Sequence, residues 1–146
     1  MFGVYHHYVA IAYNLIGNIY NYNKREYDKA IEFYEHALQI ILNIFGNNCN
    51  ITAQIYENLG YAYDKKGLYD KAIESCEHSL QIRNAIFENV NKDIAKSLWN
   101  LGRMFEKIKN NNIACKYFKE AWKTYSIVSG EWNSKTLIAK KRLEKF

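Results

Sequence analysis

The feature that most constrains this chain is that it copies itself. Tyr27-Asp28-Lys29-Ala30-Ile31-Glu32 returns as Tyr69-Asp70-Lys71-Ala72-Ile73-Glu74, 42 residues later. Glu35-His36-Ala37-Leu38-Gln39-Ile40 returns as Glu77-His78-Ser79-Leu80-Gln81-Ile82 at the same shift. A third, more diverged copy carries Ala114, Phe118, Ala121 and Trp122 in place of Ala72, Cys76, Ser79 and Leu80. A fixed period of this length marks a repeat array, whose units bury their apolar faces by stacking on their neighbours.

Each copy holds two helical patterns. The first has apolar or small residues at i, i+3, i+4 and i+7: Tyr13, Ile16, Gly17, Tyr20, then Tyr56, Leu59, Gly60, Tyr63, then Leu98, Leu101, Gly102, Phe105. That spacing is one buried face of a helix. The second pattern runs Ala30, Tyr34, Ala37, Leu38, then Ala72, Cys76, Ser79, Leu80, then Ala114, Phe118, Ala121, Trp122. Polar turns at Asn21–Glu26, Asp64–Leu68 and Glu106–Asn110 separate the two helices of each copy. The first turn has one residue more than the others. Asparagine-rich loops at Asn47–Asn50, Asn89–Lys92 and Gly130–Ser134 join the copies, asparagine being tolerant of turn conformations. No proline interrupts any helix.

Gly17, Gly60 and Gly102 lie in mid-helix, where glycine costs about 1 kcal/mol in propensity. A cost met three times at equal places implies close helix packing. Ala30, Ala72 and Ala114 are expected to supply the small surface opposite, and Tyr20, Tyr63 and Phe105 to fill the gaps between neighbouring hairpins.

Aromatic-x-x-Leu-Gly-x-x-Tyr followed by Ala-x-x-x-Phe resembles the tetratricopeptide repeat (TPR). The 42-residue period, the long second helix ending at Ile44-Phe45 or Ile86-Phe87, and Asn58-Leu59-Gly60 with Asn100-Leu101-Gly102 resemble the kinesin-light-chain type of that repeat. The usual His-Pro of the inter-repeat loop is replaced by Cys49-Asn50, Asn91-Lys92 and Asn133-Ser134. The resemblance implies an all-α, TPR-like superhelical stack of three helical hairpins, near residues 9–46, 52–88 and 94–129, as one domain over residues 1–146. Residues 134–146 form a C-terminal capping helix, because Lys140 and Glu144 stand where Leu98 and Gly102 stand one copy earlier. Met1–Val9 lacks a capping box and reads as a cut edge of a longer array.

In proteins with similar repeats the first helices line a concave groove. The stripe beside their buried face is therefore the expected peptide site. It comprises Ile11, Asn14, Asn18 and Asn21, then Gln54, Glu57, Tyr61 and Asp64, then Lys96, Trp99, Arg103 and Glu106. Asparagine amides pair with peptide backbone, and tyrosine, tryptophan and arginine anchor interfaces. Trp99 either stands in this groove or packs under the C-terminal helix. A carboxylate clamp for chaperone tails, which some such proteins share, is matched by Asn18 and Arg103 but not by Asn14, Tyr61 and Trp99.

The chemistry of the remaining residues supports no enzyme and no cofactor. His36 and His78 occupy equivalent places, which is repetition, not a ligand pair. His6-His7 lacks partners at metal-ligand spacing, and no phosphate-cradling glycine loop is present. Cys49, Cys76 and Cys115 are an odd, scattered set that fits free thiols in a cytoplasmic protein. Cys76 and Cys115 read as small hydrophobes. The apolar first twenty residues carry neither a signal-peptide pattern nor a membrane span.

Charge is uneven. Residues 1–106 hold 10 basic and 12 acidic side chains, net −2, and residues 107–146 hold 10 and 3, net +7. The basic end leaves nucleic-acid binding as an alternative, disfavoured because the expected groove lacks the continuous basic track phosphates need. The partner expected is a protein or peptide. A structural or self-associating segment of a larger scaffold, paired through the exposed repeat edge, is the other reading.

Overall fold

In the computed structural model, which describes residues 2–146 and the side chains of residues 6–146, the described residues form helices joined by short turns and loops. The elements are α1 (Phe2–Asn18), continued by a π-helical turn (Ile19–Lys24), α2 (Tyr27–Phe45), α3 (Asn50–Lys65), α4 (Tyr69–Ile86), α5 (Lys92–Lys107), α6 (Asn111–Ser129) and α7 (Ser134–Leu143). These are the helices that the three copies require, and the all-α expectation is met. The part of the expected N-terminal edge that concerns Met1 lies outside the described residues. α7 stops at Leu143, three residues short of the chain end, and Lys140 and Glu144 are exposed as expected.

The chain divides into two compact units, one up to Ile82 and one from Arg83 onward, with the division inside α4. In unit 1, α1, α2 and α3 share a core of Ala10, Ala30, Ile31, Tyr34, Ala37, Ile41, Ile55, Leu59 and Ala62. In unit 2, α5 packs on α6 and α6 on α7. Its interior includes Leu98, Leu101, Met104, Ala114, Phe118, Ala121 and Ala139.

The mid-helix glycines are explained by contact, but with different partners from those expected. A Cβ on Gly17 would stand 2.6 Å from the ring of Tyr34, and one on Gly102 would stand 2.7 Å from that of Phe118. At Gly60 the nearest atom is Cys76 Sγ, at 2.8 Å, with the Ala72 carbonyl at 3.4 Å. Each glycine thus makes room for the residue one turn beyond the alanine, not chiefly for the alanine itself. Of the large aromatics, Tyr63 reaches the neighbouring hairpin as expected, donating to Glu35, while Tyr20 stacks on Phe33 and Phe105 on Tyr117, each within its own hairpin. Ile16, expected in the buried stripe, is 37% exposed, whereas its counterparts Leu59 and Leu101 are 4% and 0% exposed. Within unit 1, Leu59 is buried in one cluster with residues of α2, and Ile16 lies outside that cluster.

The turns inside the hairpins obey one rule with one exception. After α3, Leu68 N–H donates to Tyr63 O, and after α5, Asn110 N–H donates to Phe105 O, both at 2.9 Å. Gly67 and Lys109 take the left-handed conformation there, with φ of 77° and 62°. This is the Schellman ending of a helix. In copy one Arg25 is the left-handed residue, and the closing bond runs from Glu26 N–H to Tyr20 O, one residue wider. The extra residue of the sequence is absorbed by the π turn, as single insertions into helices commonly are.

Asparagines of two inter-copy loops and of the turn after α5 also act as caps. Asn91 accepts from Ile94 N–H, Asn110 from Ile113 N–H and Asn133 from Lys135 N–H. Each satisfies a backbone donor that the first turn of a helix leaves unpaired.

Candidate functional site

On unit 1, the π turn and the first helices α1 and α3 bring a polar and aromatic set together. Asn58 Nδ2 donates to Asn14 Oδ1 at 3.1 Å, and Tyr22 Oη donates to Asn58 Oδ1 at 3.3 Å. The Tyr22 ring lies 4.8 Å from that of Tyr61, and Lys65 Nζ sits over Tyr61 at 5.2 Å. Burial, with the Glu57 carboxylate and Tyr61 nearby, pushes the Tyr22 hydroxyl up to about 12, so it is a neutral donor at physiological pH. Behind this row, Tyr34 Oη donates to Asn18 Oδ1 at 2.7 Å and accepts from Asn21 Nδ2 at 3.2 Å.

The structure therefore sorts the residues expected in copies one and two. Asn14, Asn18, Glu57 and Tyr61 are half-buried along this face, and Gln54 is exposed. Asn21 and Asp64, expected in the groove, are only 1% and 5% exposed. The place four residues after the glycine faces inward, where the helix closes onto its hairpin. Tyr22 and Asn58 were not anticipated. Asn58 stood in view beside the Leu-Gly pair, but Tyr22 reaches the row from within the π turn, which helical spacing alone does not reveal.

On unit 2, Trp99 is half-buried with its ring 5.0 Å from that of Phe118. The Arg142 guanidinium of α7 lies over it at 5.7 Å and pairs with Glu106 at 2.7 Å. Trp99 thus packs under the C-terminal helix. It also lines a cleft of about 280 Å³ with Lys96 and Asn100 of α5, Tyr125 of α6, and Lys135 and Ile138 of α7. Arg103 is half-buried and Lys96 exposed. Arg142, Asn100 and Lys135 are additions to the expected set. Arg142 and Lys135 come from α7 and Asn100 from α5 beside Trp99, and the side chains that α7 brings to Trp99 stand outside the repeat register.

His36 and His78 stack on the first-helix tyrosines, at 5.6 Å from Tyr13 and 4.8 Å from Tyr56. Cys76 is buried, and Cys49 and Cys115 are half-buried. Among the described residues no helix is long and apolar enough to cross a membrane.

A family model described as tetratricopeptide repeat matches residues 8–85, just over half of the chain. The chain belongs to the tetratricopeptide-repeat family. Repeats of this family generally serve as protein–protein interaction modules. Solved structures share the fold at low identity. BtubC (BKLC) from P. vanneervenii matches with a TM-score of 0.81 at 21% identity, over 96% of this chain and 55% of that one. The TPR-like repeats of a kinesin-light-chain candidate from Podosopora anserina match at 0.82 and 15% identity, over 96% and 66%. The N-terminal domain of stress-induced protein-1 from C. elegans matches at 0.71 and 20% identity, over 95% and 97%. The chain thus spans about half of BtubC and about two thirds of the Podosopora protein. No curated protein matches it.

Proposed function

We propose that this TPR chain is a non-catalytic interaction module and that each unit holds a peptide segment of a partner protein on the face of its own first helices. On unit 1 the contact set is Asn14, Asn18, Gln54, Glu57, Asn58, Tyr22 and Tyr61. On unit 2 it is Lys96, Trp99 and Arg103. The observation that carries this reading is the Asn14–Asn58–Tyr22 chain with Tyr61 beside it. Amide and phenol groups lie here in a row outside the apolar cluster of unit 1. Side-chain amides offer a peptide backbone both donors and acceptors, and the tyrosine rings give it apolar contact at low entropic cost.

Capture of partners by the immobilised chain tests the reading. Tyr61→Ala is expected to weaken the captured complex by about 1–2 kcal/mol, as truncation of an interface anchor does. Trp99→Ala is expected to do the same on unit 2. His36→Ala, on the second helix of its hairpin, is expected to leave binding unchanged. Loss of binding in His36→Ala with full binding in Tyr61→Ala and Trp99→Ala would move the contact to the opposite face and refute the proposal.

A further inference from the structure

The outer side of α1, with Ile19 of the π turn that continues it, carries a stripe that its counterpart in the next repeat does not leave bare. Tyr8 is 66% exposed, Leu15 56%, Ile19 48% and Ile16 37%, and Ala12 is exposed between them. Positions 8, 12, 15 and 19 recur at the spacing of a single helix face. One repeat on, the same places hold Ile51, Ile55, Asn58, Leu59 and Ala62. There, Ile55, Leu59 and Ala62 are 0%, 4% and 0% exposed, in one cluster with Ile31, Tyr34, Ala37 and Ile41 of α2. The face on α1 is thus of the kind that, within unit 1, is covered by another helix.

Two properties of the stripe say which helix fits. First, it is uncharged. No Asp, Glu, Lys or Arg occurs in the first 23 residues, although the chain as a whole carries +5. A net positive charge opposes the meeting of two copies, and α1 brings no like charges into contact. Second, the stripe is its own complement. With a second α1 laid antiparallel about an axis between positions 13 and 14, Tyr8 meets Ile19 and Ala12 meets Leu15. The small alanine faces the leucine, as interdigitating helices require. We propose that this face is an interface between two copies of the chain, an antiparallel α1–α1 pair with two-fold symmetry. Exposed apolar residues grouped on one face are the usual mark of such a surface. One helix face is a small interface, so the pair forms and dissolves with concentration.

Sedimentation equilibrium of the full chain, from about 1 µM to about 1 mM so as to bracket a micromolar dissociation constant, tests this. The average mass is expected to rise from 17.3 kDa towards twice that value. Leu15→Glu and Ala12→Glu each place two buried charges near the axis of the pair and are expected to weaken association at least about tenfold. Ala12 is exposed and mid-helix, so Ala12→Glu keeps the fold and decides the matter if Leu15→Glu loses helical circular dichroism. Trp132→Ala, at an 85% exposed site on unit 2, is expected to leave association unchanged. A wild-type chain that stays monomeric throughout overturns the proposal. So does a dimer that survives Ala12→Glu, or one that Trp132→Ala dissolves.

Discussion

A methyl group added at position 102 would stand 2.7 Å from the ring of Phe118, a side chain with no exposed surface. The ring is packed on Trp99 and on Phe146 and lies under Arg142, so it has little freedom to retreat. Two effects oppose each other in Gly102→Ala. Helix propensity favours alanine by about 1 kcal/mol. Overpacking a close contact costs about 1–3 kcal/mol, and it dominates because the neighbour is a whole ring in a filled site. Gly102→Ala is therefore expected to lower the denaturation midpoint of the protein. Gly102→Ala/Phe118→Leu, which shrinks the opposing group, is expected to recover part of the loss. An alanine variant more stable than the native chain would show that the ring yields easily and that the glycine serves something other than close approach. The sequence revealed that three glycines recur and that packing was the reason. It did not reveal the partner, because the alanine and the aromatic one turn apart look equally fit to face a missing side chain.

At the scale of the element, the three hairpin turns pose the same demand and meet it with three different residues. Each needs one position at positive φ. Gly67 fills it without strain, while Arg25 and Lys109 fill it with a Cβ that the left-handed region disfavours by about 1–2 kcal/mol. Glycine in turn loses about 0.5–1 kcal/mol of unfolded-chain entropy. Lys109→Gly, made where the flanking bonds already match those around Gly67, is thus expected to stabilise the protein by about 0.5–1 kcal/mol. Thermal unfolding followed by circular dichroism reads this, and a fall in the midpoint would contradict the turn geometry. The turns also show where the sequence is legible and where it is not. The helices and loops could be read because the apolar spacing changes at their ends. The loop asparagines were read as turn formers, and two of them, Asn91 and Asn133, are helix caps, as is Asn110 of a hairpin turn, a role that depends on which backbone N–H lies within reach. The surplus residue near Asn21–Glu26 was visible as a length difference. That it becomes a π turn delivering Tyr22 to Asn58 and Tyr61 depends on tertiary contacts, and so the candidate site was drawn without its central phenol.

Across the whole chain, 13 tyrosines make the response to alkali a molecular property. Burial raises the titration of Tyr22, with Glu57 and Tyr61 adding to it, from 10.0 to about 12. Burial also raises that of Tyr34, and Tyr22 adds to it against the hydrogen bond from Asn21. Tyr56 and Tyr63 are raised first by burial, then by Glu74 and by Glu35 respectively. In each case the folded chain holds the phenolic proton more tightly than the unfolded chain does. Below pH 10 both states are protonated and the contribution to stability is complete. Above it the unfolded state ionises first and binds fewer protons, so stability falls with rising pH until the folded value is passed. For Tyr22 that window runs from pH 10 to about 12. All four residues lie before Ile82, in unit 1. The loss is therefore expected to appear as earlier amide exchange in α1, α2 and α3 as pH rises through the window, after correction for the intrinsic alkaline acceleration of exchange. Tyr34→Phe removes an ionisation from the one fully buried phenol of the four and flattens the dependence, although it also leaves Asn18 and Asn21 without their shared partner and lowers stability at neutral pH. The decisive quantity is thus the slope of stability against pH, not its level. A native chain whose denaturation midpoint is level between pH 10 and 12 would mean that the Tyr34 hydroxyl reaches water, and that the polar row on unit 1 is looser than its hydrogen bonds imply.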